Sequence, residues 1–149
     1  MGHDVIDVFD KTLHKSNEWI RDLMSELGWG DAHHALGAFR AVVHVFRDRL
    51  PLGEAAALAA EMPTLIRGIY FEGWRPLEHV PAIRHRGEFI AQLEERLGGA
   101  YGLHGEETLT HVARAVLRVL NRHVSLGEVE NSRHTLPAEL RVFWPSATA

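Results

Sequence analysis

A chain of 149 residues with 46% hydrophobic and 24% charged residues has the composition of one globular domain, long enough to bury roughly 70% of its unfolded surface. A net charge of −4 offers no basic footprint for a nucleic-acid backbone or an anionic membrane. The absence of cysteine removes disulfides, thiolate metal sites and cysteine nucleophiles together, and neither a membrane-length apolar run nor a secretion signal stands at the N-terminus, so the cytoplasm is the expected compartment.

Nearly every segment carries a helical period and none alternates as a strand does. The first helix is predicted from about Asp4 to Leu27, where Ile6, Phe9, Leu13, Ser16, Ile20, Leu23 and Leu27 recur at spacings of three and four. Asp4, Asp7 and Asp10 lie toward the positive end of its dipole, and Gly28-Trp29-Gly30 stops it. Asp31 caps a second helix through Leu50, with Ala35, Leu36, Phe39, Val42, Val43 and Phe46 inward, and Pro51 breaks it. A short helix follows at about Gly53–Glu61, and Pro63 opens another to about Phe71. Residues 73–86 hold two prolines and no clear period, and form a linker. Beyond it come a helix over about Gly87–Leu97, a glycine-rich loop at 98–102, and a helix over about Glu106–His123 with Leu109, Val112, Val116, Leu117 and Leu120 inward. Ser125-Leu126-Gly127-Glu128 reads as a capping box, and Pro137 opens a last helix that ends near Trp144-Pro145.

The second part of this order repeats the first. Residues 18–28 line up with 88–98, keeping Glu, Ile, both Leu and Gly. After a short slip, Arg40-Ala41-Val42 falls on Arg114-Ala115-Val116, Leu52-Gly53-Glu54 on Leu126-Gly127-Glu128, and Met62-Pro63 with Arg67 on Leu136-Pro137 with Arg141. The expected fold is therefore all-α: a single domain over 1–149 made of two tandem four-helix pseudo-repeats, about 4–72 and 87–145, packed as one bundle-like body. Phe39 and Val116 should sit at the centre of their copies, fully buried.

Several motifs also resemble those of the DUF2267 family. Phe9-Asp10-Lys11-Thr12, then Lys15-Ser16-Asn17-Glu18-Trp19-Ile20 and Arg40-Ala41-Val42, are similar to its opening. Met62-Pro63 with Leu65-Ile66-Arg67-Gly68 and Tyr70-Phe71-Glu72-Gly73-Trp74 are similar to its middle, and Arg122-His123-Val124-Ser125 through Glu128 and Leu136-Pro137-Ala138-Glu139-Leu140-Arg141 to its close. The resemblance spans nearly the whole chain. It implies a helical two-copy build and a bacterial, cytoplasmic context, and it brings no activity and no catalytic residues.

Histidine is the one compositional oddity, at 11 residues. His104, Glu107 and His111 would share a helix face if that helix began early enough, and imidazole–carboxylate–imidazole is a set that zinc or iron accepts. Gly102 and Gly105 flank His104 and favour a loop there instead. His33, Gly37, Arg40 and His44 form a stripe off the apolar face and read as a solvated surface. His123 lies in a last helical turn, where an imidazolium suits the dipole. His79, His85, Arg75, Arg84 and Arg86 form a basic group in the linker. Trp19 and Trp144 align with Phe89 and Tyr70 and read as core, whereas Trp29 and Trp74 sit at turns under the linker. No HExxH, phosphate-cradling glycine loop or nucleophile elbow is present, and no catalytic carboxylate pair stands out.

The reading is a non-enzymatic helical interaction or ligand-sensing module without a cofactor, with an unknown protein or small-molecule partner and no nucleic-acid or membrane partner. The apolar seam of the N-terminal helix is longer than the first copy needs, so its first half should pack either on the second copy or on another chain, with a homodimer the favoured of the two. The competing reading is a metal-binding protein or metalloenzyme built on His104, Glu107 and His111.

Overall fold

Gly28 adopts the left-handed conformation (φ 69°) that ends the first helix, and Asp31 restarts the chain by accepting from the backbone N–H groups of His33 and His34 at 2.9 and 3.2 Å. Pro51, Pro63 and Pro137 each stand extended just before a helix, where a missing N–H costs nothing. In the computed structural model, which describes residues 6–76 and 83–147, these signals delimit eight helices and no strand. They are α1 (Asp7–Leu27), α2 (Ala32–Arg47), α3 (Leu52–Ala60), α4 (Thr64–Phe71), α5 (Arg86–Tyr101), α6 (Glu106–His123), α7 (Leu126–Thr135) and α8 (Ala138–Arg141). None is long and apolar enough to cross a membrane.

Several boundaries differ from the sequence expectation. Ile6 is extended (ψ 132°) and α1 begins at Asp7; Asp4, where the sequence placed the start, lies outside the described residues. The expected glycine loop at 98–102 is largely helix: α5 runs through Gly98 and Gly99 to Tyr101, and only Gly102 takes the left-handed cap (φ 66°). The reason is tertiary. The Tyr101 ring lies against Gly37 of α2, so closely that a Cβ there would be 2.2 Å from it, and this seat holds the last turn of α5 in place. The last helix is a single turn, with Phe143 and Trp144 buried in the turns that follow.

α2 and α6 form the centre. Phe39 and Val116 are fully buried, as their periodicity requires. α2 packs on α1, α4, α5 and α6, while α6 packs on α1, α2, α5 and α7. One hydrophobic cluster runs through residues of all eight helices, from Trp19 at the edge of Phe39 to Phe46, Phe89, Phe143 and Trp144. Trp19 and Trp144 are core residues, while Trp29 and Trp74 are half-buried, the latter stacked on Phe71 at 5.1 Å.

Two arginines fasten the short helices in the same way. Arg67 of α4 donates from Nε to Ala59 O (3.0 Å) and from Nη2 to Met62 O (2.9 Å), closing the end of α3. Arg141 of α8 donates from Nε to Arg133 O (3.0 Å) and from Nη2 to Leu136 O (2.9 Å), closing the end of α7. Each acceptor of Arg141 is the aligned counterpart of an acceptor of Arg67.

Candidate functional site

α1 changes character along its length. Its second half lies on the body: Ser16, Trp19 and Leu23 are buried, and Asp22 and Glu26 face α6, where His123 Nε2 meets Asp22 at 2.6 Å and Arg122 meets Glu26 at 2.7 Å. The first half continues the apolar seam with little to cover it. Ile6, Phe9 and Leu13 remain 60%, 59% and 47% exposed. Thr12, beside them, accepts from the backbone N–H of Leu65 at 3.2 Å, which brings exposed Leu65 of α4 to the same end of the molecule. Five of the eight large exposed apolar side chains among the described residues (Ile6, Val8, Phe9, Leu13, Leu65) therefore gather at one end. Of the two expected fates for this half of the seam, packing on the second copy is not seen among the described residues; Thr12 instead meets α4 of the first.

The histidine–carboxylate set is not assembled. His104 lies in the loop between α5 and α6, and its Nδ1 bonds to Glu94 of α5; that bond, with the N–H of Gly105, holds the Glu94 carboxyl below its usual range. Glu107 and His111 stand on an exposed stripe of α6. Among the described residues no three His, Asp or Glu side chains are grouped to hold a metal ion.

The stripe of His33, Gly37, Arg40 and His44 is not a solvated surface. His33 is exposed, but Gly37 carries the Tyr101 ring, Arg40 pairs with Glu72 at 2.8 Å, and His44 is buried with its Nε2 2.7 Å from Ile69 O. The end of α4 covers this side of α2, a contact that periodicity on one helix cannot reveal. Burial lowers the pKa of the His44 ring. In the basic linker, His85 pairs with Glu139 at 2.9 Å and Arg86 with Glu106 at 3.2 Å; His79 lies outside the described residues.

The structure also joins carboxylates that no motif marked. Where the end of α3 meets the start of α7, Glu61 accepts from both the N–H (2.7 Å) and the hydroxyl (2.9 Å) of Ser125. The capping box is thus half made: Ser125 Oγ accepts from Glu128 N, but the Glu128 side chain turns inward to Ser132 and to Glu54 of α3. Burial, then the hydrogen bond shared with Glu54, pushes the Glu128 carboxyl up to about 7.

A third feature is a cleft of about 450 Å³ along the exposed side of α6, lined by Arg86, Glu106, Glu107, Thr110, His111, Arg114 and Arg118.

Fold and surface together define an all-helical protein with an uncovered apolar end. A family model of uncharacterised conserved proteins, DUF2267, matches residues 16–143. The chain belongs to the DUF2267 family. No curated protein matches it.

Proposed function

We propose that this protein is a non-enzymatic helical interaction module of the bacterial cytoplasm, which self-associates through the N-terminal half of α1. The observation that carries this reading is the exposure of Phe9 and Leu13 on the same seam that buries Ser16 and Leu23. A second copy is the occupant that the surface itself suits. An isologous, antiparallel pairing about these two residues sets Phe9 of one copy against Leu13 of the other. It also brings Asp10 near the other copy's His14, two groups that already lie 3.6 Å apart along the helix. Burying Phe9 and Leu13 on both copies, four side chains in all, contributes about 1.5–3 kcal/mol each, a sum that the costs of association largely offset, which sets a weak dimer rather than a permanent one.

We also propose that the body is a tandem duplication of a four-helix unit, α1–α4 and α5–α8. The matching acceptors of Arg67 and Arg141 support it, as does the prolyl start shared by α4 and α8.

Phe9→Glu/Leu13→Glu tests the self-association. Sedimentation of this variant should give a lower mass than wild type at equal concentration, with an unchanged helical circular dichroism spectrum. Equal masses would refute the proposed interface.

A further inference from the structure

α6 is enclosed by the fold except along one stripe, and that stripe is where Glu107, Thr110, His111, Arg114 and Arg118 line the 450 Å³ cleft together with Arg86 of α5. The aligned stripe of α2 is furnished from within the chain: Tyr101 fills the space at Gly37, Glu72 neutralises Arg40, and Ile69 O meets His44. On α6 the same three positions are His111, Arg114 and Arg118, and serine stands at 146 where the alignment places Glu72.

The cations of this stripe are poorly neutralised. Arg114 donates from Nε and Nη2 to Val142 O at 3.3 and 3.2 Å, which orients its guanidinium, and no carboxylate among the described residues pairs with it. Among the described residues Arg118 reaches only Glu26, at 3.9 Å, and that carboxylate is bonded to Arg122 at 2.7 Å. Two arginines one turn apart repel each other along a helix. The Thr110 hydroxyl is buried in the same place without a hydrogen-bond partner. Arg86 is matched by Glu106, which leaves Glu107 as the cleft's unpaired carboxylate.

Two guanidinium forks one turn apart, with an unpartnered hydroxyl one turn before them on the same helix, suit a tetrahedral oxyanion, and the cleft has the size of a small-ligand site. We propose that the α6 cleft binds a small phosphate monoester, with its phosphate held by Arg114, Arg118 and the Thr110 hydroxyl. Glu107 accepts a hydrogen bond from a hydroxyl group elsewhere on the ligand, which separates this class from inorganic phosphate. The site stands independently of self-association through α1.

Amide chemical shifts of the full ¹⁵N-labelled chain, titrated at constant ionic strength with glycerol 3-phosphate, inorganic phosphate and acetate, test it. Saturable shifts at Thr110, His111 and Arg114 are expected with both phosphates, tighter with glycerol 3-phosphate, and none with acetate. Arg114→Gln and Arg118→Gln should each weaken binding about tenfold or more, whereas Arg21→Gln on the exposed side of α1 should not. Arg118 is exposed, so its variant reports even if the Arg114 variant fails to fold. The absence of saturable shifts, an equal response to acetate, or wild-type affinity in Arg118→Gln would overturn the site.

Discussion

Glu128 holds its proton at a pH where an ordinary glutamate has lost it, because burial and the bond to Glu54 push its pKa up to about 7 from 4.5. Between those two values the folded chain binds a proton that the unfolded chain does not. The resulting stability is fully present below the unfolded value and is lost as pH rises through the folded one. Urea melts should therefore show the stability advantage of wild type over Glu128→Gln shrinking from about pH 5 to about pH 8. Parallel pH profiles would show that folding does not raise the Glu128 pKa. At Gly37 the expectation is steric: alanine there meets the Tyr101 ring at 2.2 Å, so Gly37→Ala should cost about 1–3 kcal/mol in wild type. In a Tyr101→Ala background the same change should be neutral or stabilising, since alanine favours a helix by about 1 kcal/mol over glycine. Equal costs in both backgrounds would mean that the ring is not what restricts position 37. Neither Glu128 nor His44 announced its role in the sequence. Glu128 stood in a capping-box pattern whose local logic is sound, but burial against α3 claimed its side chain. His44 fell on a polar stripe because the carbonyl that receives it, at Ile69, comes from another helix.

At the scale of elements, what periodicity encodes was readable and what packing decides was not. The inward residues of α6 follow a 3.6-residue pattern and are buried, and Asp31 caps α2 as its side chain allows. The end of α5 could not be read from composition, because the helix cost of Gly98-Gly99 is offset by the seat of Tyr101 on α2, a contact far away in sequence. Gly98 also lies where a Cβ would come within 2.9 Å of the His104 ring, so a small residue is required there for contact rather than for a loop. The central position of α2 predicts the largest single loss: Phe39→Ala should cost about 3–5 kcal/mol in denaturant melts, from lost transfer energy and the cavity left behind. A loss below about 1 kcal/mol would contradict the packing of α2 described above.

At the scale of the whole molecule, Arg67 and Arg141 fasten two helix pairs through separate sets of carbonyls. Replacing either by methionine should cost about 1.5–3 kcal/mol, and the double variant should show the sum, because the two clamps share no partner. Strong non-additivity in thermal or urea melts would show that they do not act separately. The assembly reading rests on the seam of α1, whose length was plain in the sequence and whose exposure only the fold could decide. Trp19 and Leu23 go into the core while Phe9 and Leu13 stay in solvent. The most direct measurement is sedimentation equilibrium of the wild-type chain over a concentration series reaching high micromolar. The self-association account predicts a weight-average mass that climbs from one chain toward two. A mass that stays at one chain throughout would contradict it.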